Sequence, residues 1–170
     1  FGETVVEGRA HVKAPIDKVV RPRIALPSVA LHGGGPDPLD LTGKRGLVVG
    51  IANDQSIAYG CALALRQAGA ELAVTYLNDK AQPHVGPLAE QLGCAMVLPC
   101  DVREPGQLEE AFAAVARQWG RLDFVLHSIA YAPREDLHGR LTDTSAAGFA
   151  TAMDVSCHSF LRMARLAEPL

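Results

Sequence analysis

The residues best placed to do chemistry stand in the run Gly50-Ile51-Ala52-Asn53-Asp54-Gln55-Ser56-Ile57-Ala58-Tyr59-Gly60, which follows a short apolar stretch and leads into a helical pattern. Binding a phosphate takes backbone N–H groups and a helix N-terminus, with no side chain blocking close approach. Gly50 suits the tight turn, and Ser56 suits an N-cap whose hydroxyl can also meet a phosphate oxygen. Gly60 is expected to let the helix pack against its strand. The run is not a G-x-G-x-x-G fingerprint, and its spacing alone fits an ordinary strand–turn–helix with a serine cap equally well. What favours phosphate is its place on the first strand of a βαβ series.

Those residues need elements to hold them. Residues 45–50 form an apolar run suited to a strand buried on both faces. A small-residue helix follows over 56–67 with Gly69 as its stop signal, then a second strand over 71–76. A second helix over 82–92 closes at Gly93, and 95–98 make a third strand. The third helix is expected to start near Pro105, with Leu108, Phe112, Val115 and Trp119 down one stripe. Residues 124–127 read as a fourth strand, and a long helix is expected from Thr144 to the end. Such alternation predicts an α/β protein: a Rossmann-type, doubly wound parallel sheet in the order 3-2-1-4, truncated after its fourth strand and the following helix. Its ligand crevice should lie beyond Val49 and Leu126.

The first 40 residues read differently. Residues 4–14 alternate small apolar with charged or polar side chains, as in a half-buried strand, and Pro15 ends it. We divide the chain into a remnant of an upstream domain over 1–24, a Pro/Gly-rich linker over 25–40, and the N-terminal half of a dinucleotide-binding domain over 41–170. Phe1 is no initiator Met, and Leu170 falls inside a helical pattern, so both ends are expected to be cut.

Composition narrows the field. With 48% apolar and 21% charged residues the chain reads as a soluble globular protein, and a net charge of −3 with no basic cluster argues against nucleic acid and membrane surfaces. No run approaches the roughly 20 apolar residues of a membrane span. Cys61, Cys94, Cys100 and Cys157 lack metal-ligand spacing and suit buried, reduced thiols of a cytoplasmic protein; no metal is expected.

Residues 50–60 resemble the G-x5-S-I-A-x-G loop of the NADH-dependent enoyl-acyl-carrier-protein reductases, a divergent branch of the short-chain dehydrogenases. Further matches are Glu71-Leu72-Ala73-Val74-Thr75-Tyr76 with Asn78-Asp79-Lys80, Cys100-Asp101-Val102, His127-Ser128-Ile129-Ala130-Tyr131-Ala132-Pro133, and Met153-Asp154-Val155-Ser156. The resemblance implies an oxidoreductase of type II fatty acid synthesis that reduces a trans-2-enoyl-acyl-carrier-protein with NADH and assembles as a homo-oligomer, a tetramer. It implies an NADH site at Gly50, Ser56, Ile57, Leu77, Asp101, Val102 and Ile129, with Ala132 at the substrate mouth. Asp101 would accept from the adenine amino group and the Val102 N–H would meet a ring nitrogen; the other reading of Asp101 is an N-cap for the third helix. His127 reads as a packed strand-end residue rather than a proton donor.

The sequence departs from the family pattern in two places. Leu77 stands where the family often has a polar residue, and no arginine beside it would favour a 2′-phosphate. The family's Tyr-x6-Lys pair is missing as well, since Arg66, Pro83 and His138 occupy the seventh positions after the three tyrosines. Tyr76-x3-Lys80 matches a shorter pairing but follows the wrong strand. Catalytic residues are therefore expected beyond Leu170, and the 170 residues alone are expected to be inactive. A non-catalytic nucleotide-binding module and a carbonyl-reducing short-chain dehydrogenase are the alternatives. Residues 1–24 also resemble, over some 20 positions, the C-terminal tail of a hot-dog-fold enoyl-CoA hydratase; the alternative is an unstructured leader or cloning remnant.

Overall fold

The computed structural model describes residues 39–170; the strand expected at 4–14 and the proposed 1–24 remnant lie outside the described residues. Four parallel strands, β1 (Arg45–Val49), β2 (Glu71–Tyr76), β3 (Met96–Pro99) and β4 (Phe124–His127), form one sheet in the order β3-β2-β1-β4. Helices α1 (Ile57–Gln67), α2 (Gln82–Gln91) and α3 (Gln107–Trp119) make the crossovers. After β4 the chain forms α4 (Ala146–Met153), a π-helical turn (Asp154–His158) and α5 (Ser159–Ala167). The predicted fold class and strand order are those observed.

Alternation along the central strands sorts side chains into two cores. Leu47, Val49 and Ala73 face α3 and α5, meeting Leu108, Phe112, Val115, Trp119 and Met163. Val48, Leu72 and Val74 face α1 and α2, meeting Ala58, Ala62, Val85 and Ala89. Where β1 begins, Arg45 Nε donates to Glu71 Oε2 at 3.0 Å and Nη1 to the Trp119 carbonyl at 3.0 Å, while Trp119 Nε1 donates to Glu71 Oε1 at 3.2 Å. That network fixes α3 to the sheet at the edge opposite the expected crevice.

Several details differ from expectation, each for a local reason. α3 starts at Gln107, past Pro105, with Gly106 at its N-cap at φ 86°; the Gln107 side chain instead takes the Asp101 N–H at 2.9 Å. β3 sits one residue later than predicted. The single long helix from Thr144 is α4 and α5 joined by the π turn. Leu170 is not helical: its carbonyl accepts from Leu122 N at 3.1 Å. Gly60 is exposed with no atom within 4 Å of a built Cβ, so Ala58 and Ala62 make the α1 contact instead.

Packing does require glycine at Gly46. It pairs with Phe124 across the β1–β4 ladder, and a Cβ there would lie 2.0 Å from the Phe124 ring. Gly46→Ala should therefore lower stability by about 1–3 kcal/mol, the usual cost of overpacking. Urea denaturation measures this, and an unchanged midpoint would contradict the packing described.

Candidate functional site

The parallel register pairs Val49 with His127, and the Ser128 N–H extends the ladder one step by donating to the Val49 carbonyl at 2.9 Å. Gly50 then turns away at φ 116°, and a Cβ on it would lie 2.0 Å from the Ser128 carbonyl oxygen. Gly50 is thus demanded by contact between two loops, a reason the sequence reading did not supply. Ser56 holds the N-cap position of α1 in extended backbone, but its hydroxyl donates to the Asn53 carbonyl at 2.6 Å and caps nothing. Within the first turn of α1 the Tyr59 and Gly60 N–H groups donate to the Ser56 carbonyl at 3.1 and 3.3 Å.

A cavity of about 200 Å³ opens along the carboxyl edge of the sheet. Gly50, Ile51 and Ala52 wall it after β1, Thr75 and Leu77 at the end of β2, Cys100 to Arg103 after β3, Ser128 to Tyr131 after β4, and Val155 from the π turn. Of the predicted site residues, Gly50, Leu77, Asp101, Val102 and Ile129 line this one cavity. Ser56, Ile57 and Ala132 stand outside its wall; Ile57 is exposed and Ala132 half-buried. Sequence reasoning missed Thr75, Arg103 and Val155, although an arginine two residues after a strand-end aspartate was a legible signal for one of them.

Asp101 carries the cavity's negative charge. Only 8% exposed, it accepts from the Arg103 backbone N–H and Nε at Oδ1, both at 3.0 Å, and from Nη2 at Oδ2 at 2.7 Å. The hydrogen bond from the Arg103 side chain holds its carboxyl below the usual 3.8. The alternative reading of Asp101 as an N-cap is not realised, since Gly106 holds that position. Across the cavity, Ser156 Oγ accepts from the Tyr131 N–H at 3.0 Å and donates back to its carbonyl at 3.2 Å.

His127 Nε2 lies 2.7 Å from Ser159 Oγ, which donates to the Val155 carbonyl at 2.7 Å. A neutral ring donating from Nε2 satisfies this geometry, and burial lowers its pKa, as suits a packed residue. Burial raises the Cys94 and Cys100 thiols to about 11. Of the four thiols expected to be buried only Cys100 is; Cys61 and Cys94 are half-buried and Cys157 is exposed. Tyr76 packs partly against the core while Lys80 is exposed, so their spacing builds no site. Among the described residues no group of three His, Cys, Asp or Glu could hold a metal ion.

A parallel sheet in this order, with its crevice across the carboxyl edge, defines a Rossmann-type α/β protein. The chain belongs to the enoyl-acyl-carrier-protein reductase family: a family model described as Enoyl-(Acyl carrier protein) reductase matches residues 50–170. It is 44% identical over 128 residues to enoyl-(acyl-carrier-protein) reductase (NADH) 1 of Rhizobium meliloti, covering 75% of this chain and 47% of that protein. A Nostoc enoyl-(acyl-carrier-protein) reductase (NADH) is 46% identical over 135 residues, covering 78% of this chain and 52% of that protein. The Anaplasma phagocytophilum enoyl-acyl-carrier-protein reductase solved with NAD superposes with a TM-score of 0.74 at 45% identity, over 78% of this chain and 50% of that one. This chain spans about half the length of the curated relatives it matches.

The lowered pKa of Asp101 gives a pH signature. Its ionised form favours the fold above 3.8, and that contribution is lost as pH falls through the lowered value. The stability gap between the parent and Asp101→Asn should therefore narrow as pH drops below 3.8. Denaturation midpoints across acid pH test it; a gap that stays constant would contradict the Asp101–Arg103 pairing.

Proposed function

We propose that this domain binds NADH and that the whole protein uses it to reduce a trans-2-enoyl-acyl-carrier-protein thioester in type II fatty acid synthesis. The observation that carries the reading is one crevice along the carboxyl edge, lined by both Gly50 and the buried Asp101. The names of the relatives support the choice of cofactor and substrate.

In this reading the pyrophosphate crosses the loop from Gly50 to Ser56 and the start of α1 at Ile57, where amides and the helix dipole favour negative charge. Adenine sits at Asp101 and Val102 with Leu77 as an apolar neighbour. Ile129 lies beside the nicotinamide ribose, and Ala132 stands at the acyl mouth. Once bound, NADH supplies a hydride to the β-carbon of the enoyl thioester. The enolate oxygen then needs a donor and the α-carbon a proton. We assign both tasks to a Tyr-x6-Lys pair following Leu170, because residues 1–170 hold none.

We further propose a cytoplasmic homotetramer. Exposed Phe149, Met153, Phe160 and Leu161 on α4 and α5 offer apolar surface for subunit contact. No helix among the described residues is long and apolar enough to cross a membrane.

The complete encoded protein should oxidise NADH when a trans-2-enoyl thioester is added and show little activity on simple ketones, whereas residues 1–170 alone should turn over neither. Robust ketone reduction without enoyl turnover would overturn the substrate assignment. Turnover by residues 1–170 would overturn the placement of the catalytic pair.

A further inference from the structure

Arg103 follows Asp101-Val102 but belongs to none of the quoted family motifs. A carboxylate offers about four acceptor positions. Arg103 fills three on Asp101, two at Oδ1 and one at Oδ2, leaving one position on Oδ2. Asp101 is 8% exposed and lines the cavity, which is the route by which a donor would reach the remaining position. The same guanidinium lies 4.9 Å from the centroid of the Tyr131 ring. Arg103 follows β3 and Tyr131 follows β4, with β2 and β1 between them, so this contact bridges the crevice over two strand ends. Ser156 in turn fixes the Tyr131 backbone.

We propose that Arg103 is a positioning residue for base recognition: it orients Asp101 as an acceptor with one open position, suited to a base bearing an exocyclic amino group, and ties that subsite to the loop at the substrate mouth. The inference rests on reading the crevice as the dinucleotide site. A hypoxanthine base presents an oxygen where adenine presents an N–H, and that oxygen would face the carboxylate. Hypoxanthine also carries a proton on the neighbouring ring nitrogen, which disturbs the Val102 contact, so the part of the selectivity that Asp101→Asn removes reports how firmly Asp101 is held. A merely structural arginine would alter affinity for both alike.

The complete encoded protein is titrated with NADH and with reduced nicotinamide hypoxanthine dinucleotide. The parent should bind NADH roughly tenfold more tightly, as for one hydrogen bond to a charged acceptor. Asp101→Asn should lower that ratio severalfold, and Arg103→Ala should lower it to the same value, because an unanchored carboxylate trades the base for water. Arg103→Lys keeps the charge without the fork and should give an intermediate ratio; it also serves if Arg103→Ala does not fold. An unchanged ratio in either Arg103 variant overturns the proposal, whatever happens to absolute affinity. A parent that binds both dinucleotides equally overturns it too. A parent that binds neither overturns the dinucleotide reading itself, a result distinct from the others.

Discussion

The site depends on the junction where β1 and β4 end. Ser128 continues the ladder past the last paired residues by bonding the Val49 carbonyl, and Gly50 must then leave the sheet without touching the Ser128 carbonyl. A Cβ at Gly50 would stand 2.0 Å from that oxygen, and the backbone there is at φ 116°, so both space and conformation require glycine. Through this contact the loop after β1 and the loop after β4 form one wall. Gly50, Ile51 and Ala52 on one side and Ser128 to Tyr131 on the other keep a fixed spacing along the crevice.

The rest of the molecule holds that junction in place. Apolar side chains on both faces of β1 lock it between α1 and α2 on one side and α3 and α5 on the other. The Arg45–Glu71–Trp119 network and the Asp123 carboxylate, which accepts from Arg45 N at 2.9 Å, secure the opposite edge. Polar groups thus tie down the amino ends of the strands, and the carboxyl ends are left to form loops. The π turn between α4 and α5 adds one further brace, since it carries Val155 to the cavity wall and Ser156 to the Tyr131 backbone.

Much of this was legible in the sequence. Short apolar runs such as 45–50, alternating with helical patterns, suit a parallel sheet covered on both faces, and the stripe of Leu108, Phe112, Val115 and Trp119 suits packing against it. Five of the residues marked for the site line the cavity because strand order alone brings their loops together. What stayed hidden depends on partners far away in sequence or on competition for one donor. The Asn53 carbonyl outbids a cap for the Ser56 hydroxyl, and Gln107 spends its amide on Asp101. Gly60 looked like a packing glycine and is not one, whereas the need for glycine at Gly46 is visible only once Phe124 is known to lie beside it. The Arg103 bridge to Tyr131 depends on a fold that brings residues 28 apart in sequence into contact.

The central claim is that the carboxyl-edge crevice, and no other surface, holds the dinucleotide. Amide hydrogen exchange of the complete encoded protein, with and without saturating NADH, tests it most directly. The account predicts slowed exchange over residues 50–57, at Val102 and over residues 128–131, with little change where Arg45 meets Glu71. Protection confined to the groove between β4 and α5, around Phe124 and Phe160, or an absence of protection at saturation, would contradict it.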